Sequence, residues 1–393
     1  MGGNADASHP IDVDQSCRRS DVGACDDIAS LDAAISPPAN DDEDMQMLEP
    51  PAPLAVTGAF LLAEPTFDAA ALLGYSMDAE VLEDNSMCGL FNIGNTCYLN
   101  ALVTVLSKVT AIRSWLLQHQ AQASDDDDHD APCTLCHLAQ DVYRLTIMPR
   151  NEPFPPLIAQ HRGRWSAGSF QNKRQHDVHE AFQKLFQACE TCDAVRLRRL
   201  IDVDEQSSAR YTTPFWKLCR GIQRQTCACT VALCNHRSVK HEPFACLLVP
   251  VDDPDILSLE DAITRYLATD TPPDFRCSRC ETVETSQRFT EIVVWPTVLV
   301  LGLKRWHYVH GHATKIDRYI NFETLLACPD GRGPYGLRGI VVHDGAAGGG
   351  HYTSRARAQD NFWYTYDDGR QPTQTSTEAV LAECAYLFFF ERF

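Results

Sequence analysis

The hydrophobic pattern of this 393-residue chain changes period once, and that change limits the folds open to it. Before about residue 220 the apolar positions recur at spacings of three and four. Beyond it they gather into short β-branched and aromatic runs. Leu99, Leu102, Val103, Leu106 and Val109, following Cys97, trace one face of an amphipathic helix, with Asn95 and Thr96 as candidate caps at its start. Helical spacing returns around residues 133–147 and again over 177–186. Further on, "EIVVWPTVLVLGLKRW", "LRGIVVHD", "HYTSRARA", "NFWYTYDD" and "AYLFFFERF" read as strands separated by Gly, Pro and Asp. A chain that must bury both a helical and a sheet surface packs one on the other. The pattern therefore predicts an α+β fold with a cleft where the halves meet.

Charge divides the chain at a different place. The net charge is −19, yet residues 1–86 hold 18 Asp or Glu against two bases, Arg18 and Arg19. The remainder has 35 acids and 32 bases, so it is near neutral and lacks the clustered Lys and Arg of a nucleic-acid partner. Residues 1–86 are rich in Ala, Asp and Pro without a hydrophobic period and read as a disordered acidic region. Within them the island "GAFLLAEPTFDAAALLGYSM" is expected to be an inert linker, the other readings being a segment sealed against the domain and a partner-docking helix. "SDDDDHD" at 124–130 reads as a solvated loop. "MGGNADASHP" has neither the basic nor the apolar part of a secretory leader, and no stretch reaches the roughly 18 apolar residues of a membrane span. Seventeen cysteines in such a chain point to a reducing compartment, cytoplasmic or nuclear, where thiols serve metals, cores or catalysis. No membrane and no nucleic acid are expected as partners, and a monomer is expected.

Cys97 falls where the polar stretch "NIGNT" meets the first helix. A helix start lowers a thiol's pKa and offers N–H groups to an oxyanion, so Cys97 reads equally as a nucleophile and as a buried capping thiol. Asn92 is a candidate side-chain donor to the same oxyanion. In "GGGHYTSRARAQDNFWYTYDDGR", His351 opens a strand, and Asp367 and Asp368 end the next one, sixteen and seventeen residues later. Antiparallel pairing of those strands would set a carboxylate beside the imidazole, the base and orienter that a thiol nucleophile needs. The glycines at 348–350 would let the backbone approach a narrow substrate.

Cys277 and Cys280 form a CxxC suited to half of a zinc ribbon, and Cys227, Cys229 and Cys234 offer the other half. The expected set for a structural zinc is Cys229, Cys234, Cys277 and Cys280, with Cys227 or His236 able to replace one of them. Two further CxxC pairs, Cys133 with Cys136 and Cys189 with Cys192, sit in helical patterns without an obvious second pair and are expected to be buried structural thiols.

These segments together resemble the ubiquitin-specific protease family. "GLFNIGNTCYLNALVTVL" is similar to its cysteine box and "GGGHYTSRARAQDNFWYTYDDGR" to its histidine box. "QHDVHEAF", "LGLKRW" and "VLAECAYLFFFERF" match further boxes in the family's order, so that the resemblance spans residues 89–393. It implies a papain-like cysteine protease with thumb, palm and fingers: thumb about 87–205, fingers and palm about 206–393. By position it implies Cys97 as nucleophile, His351 as base, Asp367 as orienting acid, and Asn92 as oxyanion donor. Asp368 would share the orienting role or help bind the oxyanion. Asp177 would meet the basic tail of ubiquitin, with Glu180 and Tyr352 lining the same channel. The activity implied is hydrolysis after the C-terminal glycine of ubiquitin. A protease for another ubiquitin-like modifier is the alternative, and a non-catalytic ubiquitin-binding scaffold a more distant one. Trp306 for the usual Phe after "LKR", and Ala181 before Phe182, depart from the family pattern without touching the triad.

Overall fold

The computed structural model describes residues 68–76, 87–123, 133–147, 152–170, 174–201, 213–309, 312–328, 331, 333–346 and 349–393. The acidic stretch before residue 68 and the 124–130 loop lie outside the described residues. Among those described, no helix is long and apolar enough to cross a membrane.

The helical part opens with α1 (Ala69–Leu72), one turn capped by the Asp68 carboxylate, which accepts the N–H groups of Ala70 and Ala71. Ala69, Ala70, Leu73 and Tyr75 are buried in the same core as the helices that follow. This corrects both the linker reading and the extent of disorder expected over 1–86. A handful of apolar side chains too sparse to show a period still docks where folded helices supply the receiving surface.

Then come α2 (Cys97–Lys108), α3 (Thr110–Ala123), α4 (Thr134–Thr146), α5 (Leu157–Gln160), α6 (Arg162–Trp165), α7 (Val178–Leu200) and α8 (Pro214–Cys219). Every residue of α2 is buried, not one face only as its spacing suggests. The helix is central: it packs on the sheet from one side and on α3, α4 and α7 from others. Its polar members therefore have jobs inside the protein; Asn100, for one, donates to the Leu90 carbonyl at 3.0 Å. Buried Asp141 on α4 likewise caps α5, accepting from Leu157 and Ile158 at 2.8 and 2.9 Å.

The strand-rich half contains β1 (Gly221–Cys229), β2 (Arg237–Phe244), β3 (Cys246–Pro250), α9 (Leu259–Leu267), β4 (Ser286–Val294), β5 (Val298–Lys304), β6 (Trp306–Val309) and β7 (His312–Lys315). It continues with β8 (Leu325–Leu326), β9 (Tyr335–Ala346), β10 (Gly349–Arg357), β11 (Trp363–Tyr366), β12 (Thr373–Thr375), α10 (Thr377–Leu381) and β13 (Ala385–Arg392). The main sheet runs β12-β11-β10-β9-β13-β5-β3, with β8 pairing on β9. Its pairs are antiparallel except β3 with β5. β13 explains its own aromatic run. Phe389 faces the helical core, while Phe388 and Phe390 face the core on the other side, where α9 packs. A strand covered on both faces reads as continuous apolar residues rather than as an alternation. Just past that run, Glu391 accepts from Ala111 at 2.6 Å and from Arg338 at 2.7 Å, capping α3 from the last strand.

A separate sheet, β2-β1-β4, carries a cluster of four cysteines at one end. Helical layer, main sheet and cysteine-tipped sheet correspond to thumb, palm and fingers.

Candidate active site

Asn92 shapes the loop that delivers Cys97 to the first position of α2. Its Oδ1 accepts from Gly94 at 3.1 Å and from Thr96 at 3.0 Å, while Asn95 takes a left-handed φ of 53°. Thr96, expected as a cap, is the cap residue by position but makes no side-chain bond to the helix; its hydroxyl accepts from Ile93 at 3.1 Å. Cys97 itself is 1% exposed. Burial pushes its thiol up, and the Asp368 charge adds to this. Backbone N–H groups of Tyr352 and Tyr98 and the Gln175 amide pull the other way without prevailing. The helix start alone would lower this pKa; desolvation reverses the expectation.

β10 and β11 pair antiparallel with Ser354 opposite Tyr366, so the chain leaving β11 turns back toward His351. His351 Nε2 donates to Asp367 Oδ1 at 2.6 Å, and Arg370 holds the other carboxylate oxygen at 2.8 Å. With Nε2 committed, Nδ1 is the nitrogen available to a thiol. Among the described residues His351 makes no hydrogen bond to Cys97. Instead Gln175 spans from one side to the other: its Nε2 lies 3.7 Å from the thiol, and its Oε1 accepts from the Gly350 N–H at 2.5 Å. Gly350 is required by packing. A Cβ there would lie 2.2 Å from the Asp344 carbonyl and 2.5 Å from His343 Nε2.

Asp368 has a left-handed φ of 46°, and its carboxylate lies within 4.8 Å of the His351 ring nitrogen and the Asp367 carboxylate. Its carboxylate accepts from Asn92 at 2.9 Å and Asn100 at 2.8 Å, and its carbonyl accepts from Leu90 at 2.8 Å. It ties the strand that follows the base to the loop that precedes the nucleophile. A carboxylate repels an oxyanion, so its reach to that charge runs through the Asn92 amide.

The expected substrate contacts divide. Asp177 caps α7, accepting from His179 at 2.8 Å and Glu180 at 3.1 Å, and its other oxygen accepts from Tyr386 at 2.7 Å. Glu180 is exposed on the first turn, 3.2 Å from Lys184. Tyr352 does not line a channel with its side chain. The ring is 3% exposed and packs 4.5 Å from His343, and its hydroxyl accepts from the Val178 N–H. Its contribution at the nucleophile is a backbone N–H.

Two groups of soft ligands lie away from this cleft. Cys229, Cys234, Cys277 and Cys280 bring their sulfurs within 4.8 Å of one another, with Cys229 to Cys280 at 3.6 Å and Cys234 to Cys277 at 3.7 Å. Four mostly buried thiols at these separations fit a tetrahedral metal ion. Cys227 is outside the group, and His236 is engaged by Ser278 at 2.8 Å. The second group is His119 with Cys133 and Cys136, whose ligand atoms lie within 4.8 Å of one another.

Gln175, Asn100 and Arg370 are site residues that the sequence reading does not reach. A polar residue three positions after Cys97 in an otherwise apolar run is the available signal for Asn100. For Gln175 it is its place in "QHDV".

A buried thiol at a helix start, bridged by Gln175 to the strand that carries a histidine–carboxylate pair, defines the papain-like class of cysteine hydrolases. The chain belongs to the ubiquitin carboxyl-terminal hydrolase family, whose model matches residues 88–390. It is 26% identical over 318 residues to ubiquitin carboxyl-terminal hydrolase 36 of Drosophila simulans, covering 77% of this chain and 31% of that protein. It is 29% identical to ubiquitin carboxyl-terminal hydrolase 23 of Arabidopsis thaliana, covering 77% and 35%. The chain thus spans about a third of the length of these relatives. In fold it is similar to a yeast SAGA DUB module carrying a mutant Sgf73, with a TM-score of 0.66 at 22% identity, covering 81% of this chain and 71% of that one. It is also similar to the SAGA Ubp8/Sgf11/Sus1/Sgf73 DUB module bound to ubiquitin aldehyde, with a TM-score of 0.64 at 20% identity, covering 81% and 72%.

Proposed function

We propose that this chain is a deubiquitinating cysteine protease that hydrolyses the peptide or isopeptide bond after the C-terminal glycine of ubiquitin. The observation that carries the reading is the His351–Asp367 pair at 2.6 Å, one residue from the Tyr352 N–H that contacts the Cys97 thiol. Substrate entry displaces the Gln175 amide, and His351 Nδ1 takes the thiol proton. The thiolate attacks the glycine carbonyl, with the first N–H groups of α2 and the Asn92 amide meeting the oxyanion. His351 returns the proton to the leaving lysine amine, and water then hydrolyses the thioester with the same imidazole as base. Asp367 keeps the ring in the tautomer this requires. Asp177 and Glu180, at the start of α7, supply negative charge toward the basic tail of ubiquitin.

The four finger cysteines would hold zinc. A closed four-sulfur site has no open position for substrate, so its contribution is to the fold of the fingers. A reducing cytoplasmic or nuclear setting is part of the same proposal, resting on the seventeen cysteines of the sequence.

Electrophilic probes built on ubiquitin and on its relatives, applied to the reduced chain, test the reading. Labelling by the ubiquitin probe, lost in Cys97→Ala, is the expected result, with ubiquitin substrate turnover falling at least about 1,000-fold. Labelling by another modifier alone would move the substrate assignment. Labelling by none would leave a binding scaffold.

A further inference from the structure

The stretch that leads into the Asn92 loop leaves one large apolar side chain in water. Leu90 bridges Phe154 and both are buried, whereas the next residue, Phe91, is 48% exposed. A lone exposed phenylalanine is ordinary on a protein surface; this one has a fixed mounting beside the catalytic turn. Its N–H donates to the Phe154 carbonyl at 2.9 Å, and the Leu90 N–H donates to the Asp368 carbonyl at 2.8 Å. Gln371 Nε2 donates to the Met87 carbonyl at 3.0 Å. A Cβ on Gly89 would lie 2.2 Å from the Asp368 carbonyl oxygen, so only glycine lets these two backbones meet so closely. A Cβ on Gly369 would lie 3.2 Å from Phe91 Cδ1 and 3.6 Å from Pro153 Cβ. Bare glycine backbone therefore floors a shallow slot between the ring and the proline. Next in the chain stands Arg370, 80% exposed, with Nη1 on Asp367 Oδ2 at 2.8 Å and no second side-chain partner among the described residues.

We propose that Phe91, Gly369 and Arg370 form the leaving-group subsite of the protease: the ring takes the methylene stem of the lysine that carries ubiquitin, and the guanidinium takes acidic residues beside that lysine.

This subsite presupposes the deubiquitinase reading and serves the other half of the same substrate. An isopeptide bond has two sides. The thiol's contacts with Gln175 and the Tyr352 N–H lead to the start of α7, where Asp177 and Glu180, the proposed contacts of the ubiquitin tail, stand. Its other neighbour is the Asn92 loop, which Asn92 joins to the catalytic turn by its 2.9 Å bond to Asp368. With the glycine tail along the first wall, the chain attached to the leaving nitrogen passes the second. The chemistry there suits such a chain. An isopeptide nitrogen is acylated and uncharged, so the lysine presents an apolar stem, which a half-exposed aromatic face receives without needing a charge. Arg370 spends one nitrogen on Asp367, and the remaining donors of its fork are free to take a carboxylate. The rigid mounting of the ring lowers the ordering cost of binding.

The test uses the full reduced chain and two kinds of substrate. Ubiquitin propargylamide carries nothing beyond its electrophile and so reports the nucleophile and the ubiquitin side alone. Ubiquitin joined to the lysine Nε of two peptides, one with acidic and one with basic residues beside the lysine, reports both sides. Phe91→Ala should label with the probe at the wild-type rate while kcat/KM for both peptide conjugates falls about 10-fold. Phe91→Tyr, which keeps the ring, should restore it. The wild type should cleave the acidic conjugate about 2- to 5-fold faster than the basic one. In Arg370→Gln that ratio should fall to about one, whatever happens to the absolute rates. Conjugate turnover unchanged in Phe91→Ala would overturn the subsite. Probe labelling reduced as much as conjugate turnover would do the same, since the ring would then act on Cys97 and not on the leaving group. A flank ratio unchanged in Arg370→Gln would overturn the guanidinium's part. A wild type that the ubiquitin probe does not label would overturn the deubiquitinase reading and the subsite together.

Discussion

Cys97 is buried and burial pushes its thiol pKa up, the opposite direction from a papain-type enzyme whose thiolate is formed in advance. Alkylation of Cys97 by iodoacetamide should therefore be slow at about pH 7 and climb above about pH 9, the usual behaviour of a thiol without an activating charge. A preformed ion pair with His351 would make the profile flat from about pH 5 to 8, and mass spectrometry of the labelled peptide distinguishes the two. Asn92 has a loop role through Oδ1 and, in the mechanism, an oxyanion role through Nδ2. Asn92→Ala should lower kcat about 100-fold, with probe binding retained. Asn92 was legible as a donor candidate from its place before the cysteine. Gln175 was not, because its position between the two boxes exists only after α7 and β10 have been brought together.

Asp177 has one structural duty and one proposed electrostatic duty, and they can be separated at the level of α7. The carboxylate caps the helix with one oxygen and accepts from Tyr386 with the other. Asp177→Asn keeps an acceptor for the cap, so its unfolding midpoint should match the wild type while KM for a ubiquitin substrate rises. Asp177→Ala should lose about 1 kcal/mol of stability as well; urea titrations alongside kinetics resolve the pair. If Asp177→Asn leaves KM unchanged, the charge is not read by substrate. α2 was legible as a helix from its spacing, but the spacing placed it at a surface. Residues such as Asn100 and Thr104 look like a polar face in one dimension, yet both are buried.

Across the whole molecule, buried Asp141 links pH to the docking of α5 on α4. Burial pushes its carboxyl up to about 7, from a usual value near 4, against the two α5 N–H groups that favour the charge. The folded state therefore holds the proton more tightly than the unfolded chain. The stabilisation is complete below the unfolded pKa and is lost as pH rises through about 7. Asp141→Asn should remove that component, so the difference in urea midpoint between about pH 5 and about pH 7.5 shrinks relative to the wild type. Disrupting the finger cysteine cluster should act elsewhere. Cys277→Ser/Cys280→Ser should loosen the fingers, seen as faster hydrogen exchange over β1, β2 and β4, while exchange over the β9 to β13 sheet stays unchanged. The sequence by itself determined the α+β class and the family, and it singled out Cys97, His351 and Asp367, because periodicity and contiguous boxes are local properties of a chain. It also placed the four finger cysteines, whose pairs lie within a few residues of each other. Only the tertiary structure decided that Asp368 serves Asn92 and Asn100, that Gln175 reaches the thiol, that Tyr352 offers its backbone, and that residues 68–76 dock on the helices through Tyr75. Each of those depends on groups distant in sequence meeting in a low-dielectric interior, where burial and hydrogen-bond partners, not residue type, set what a side chain does.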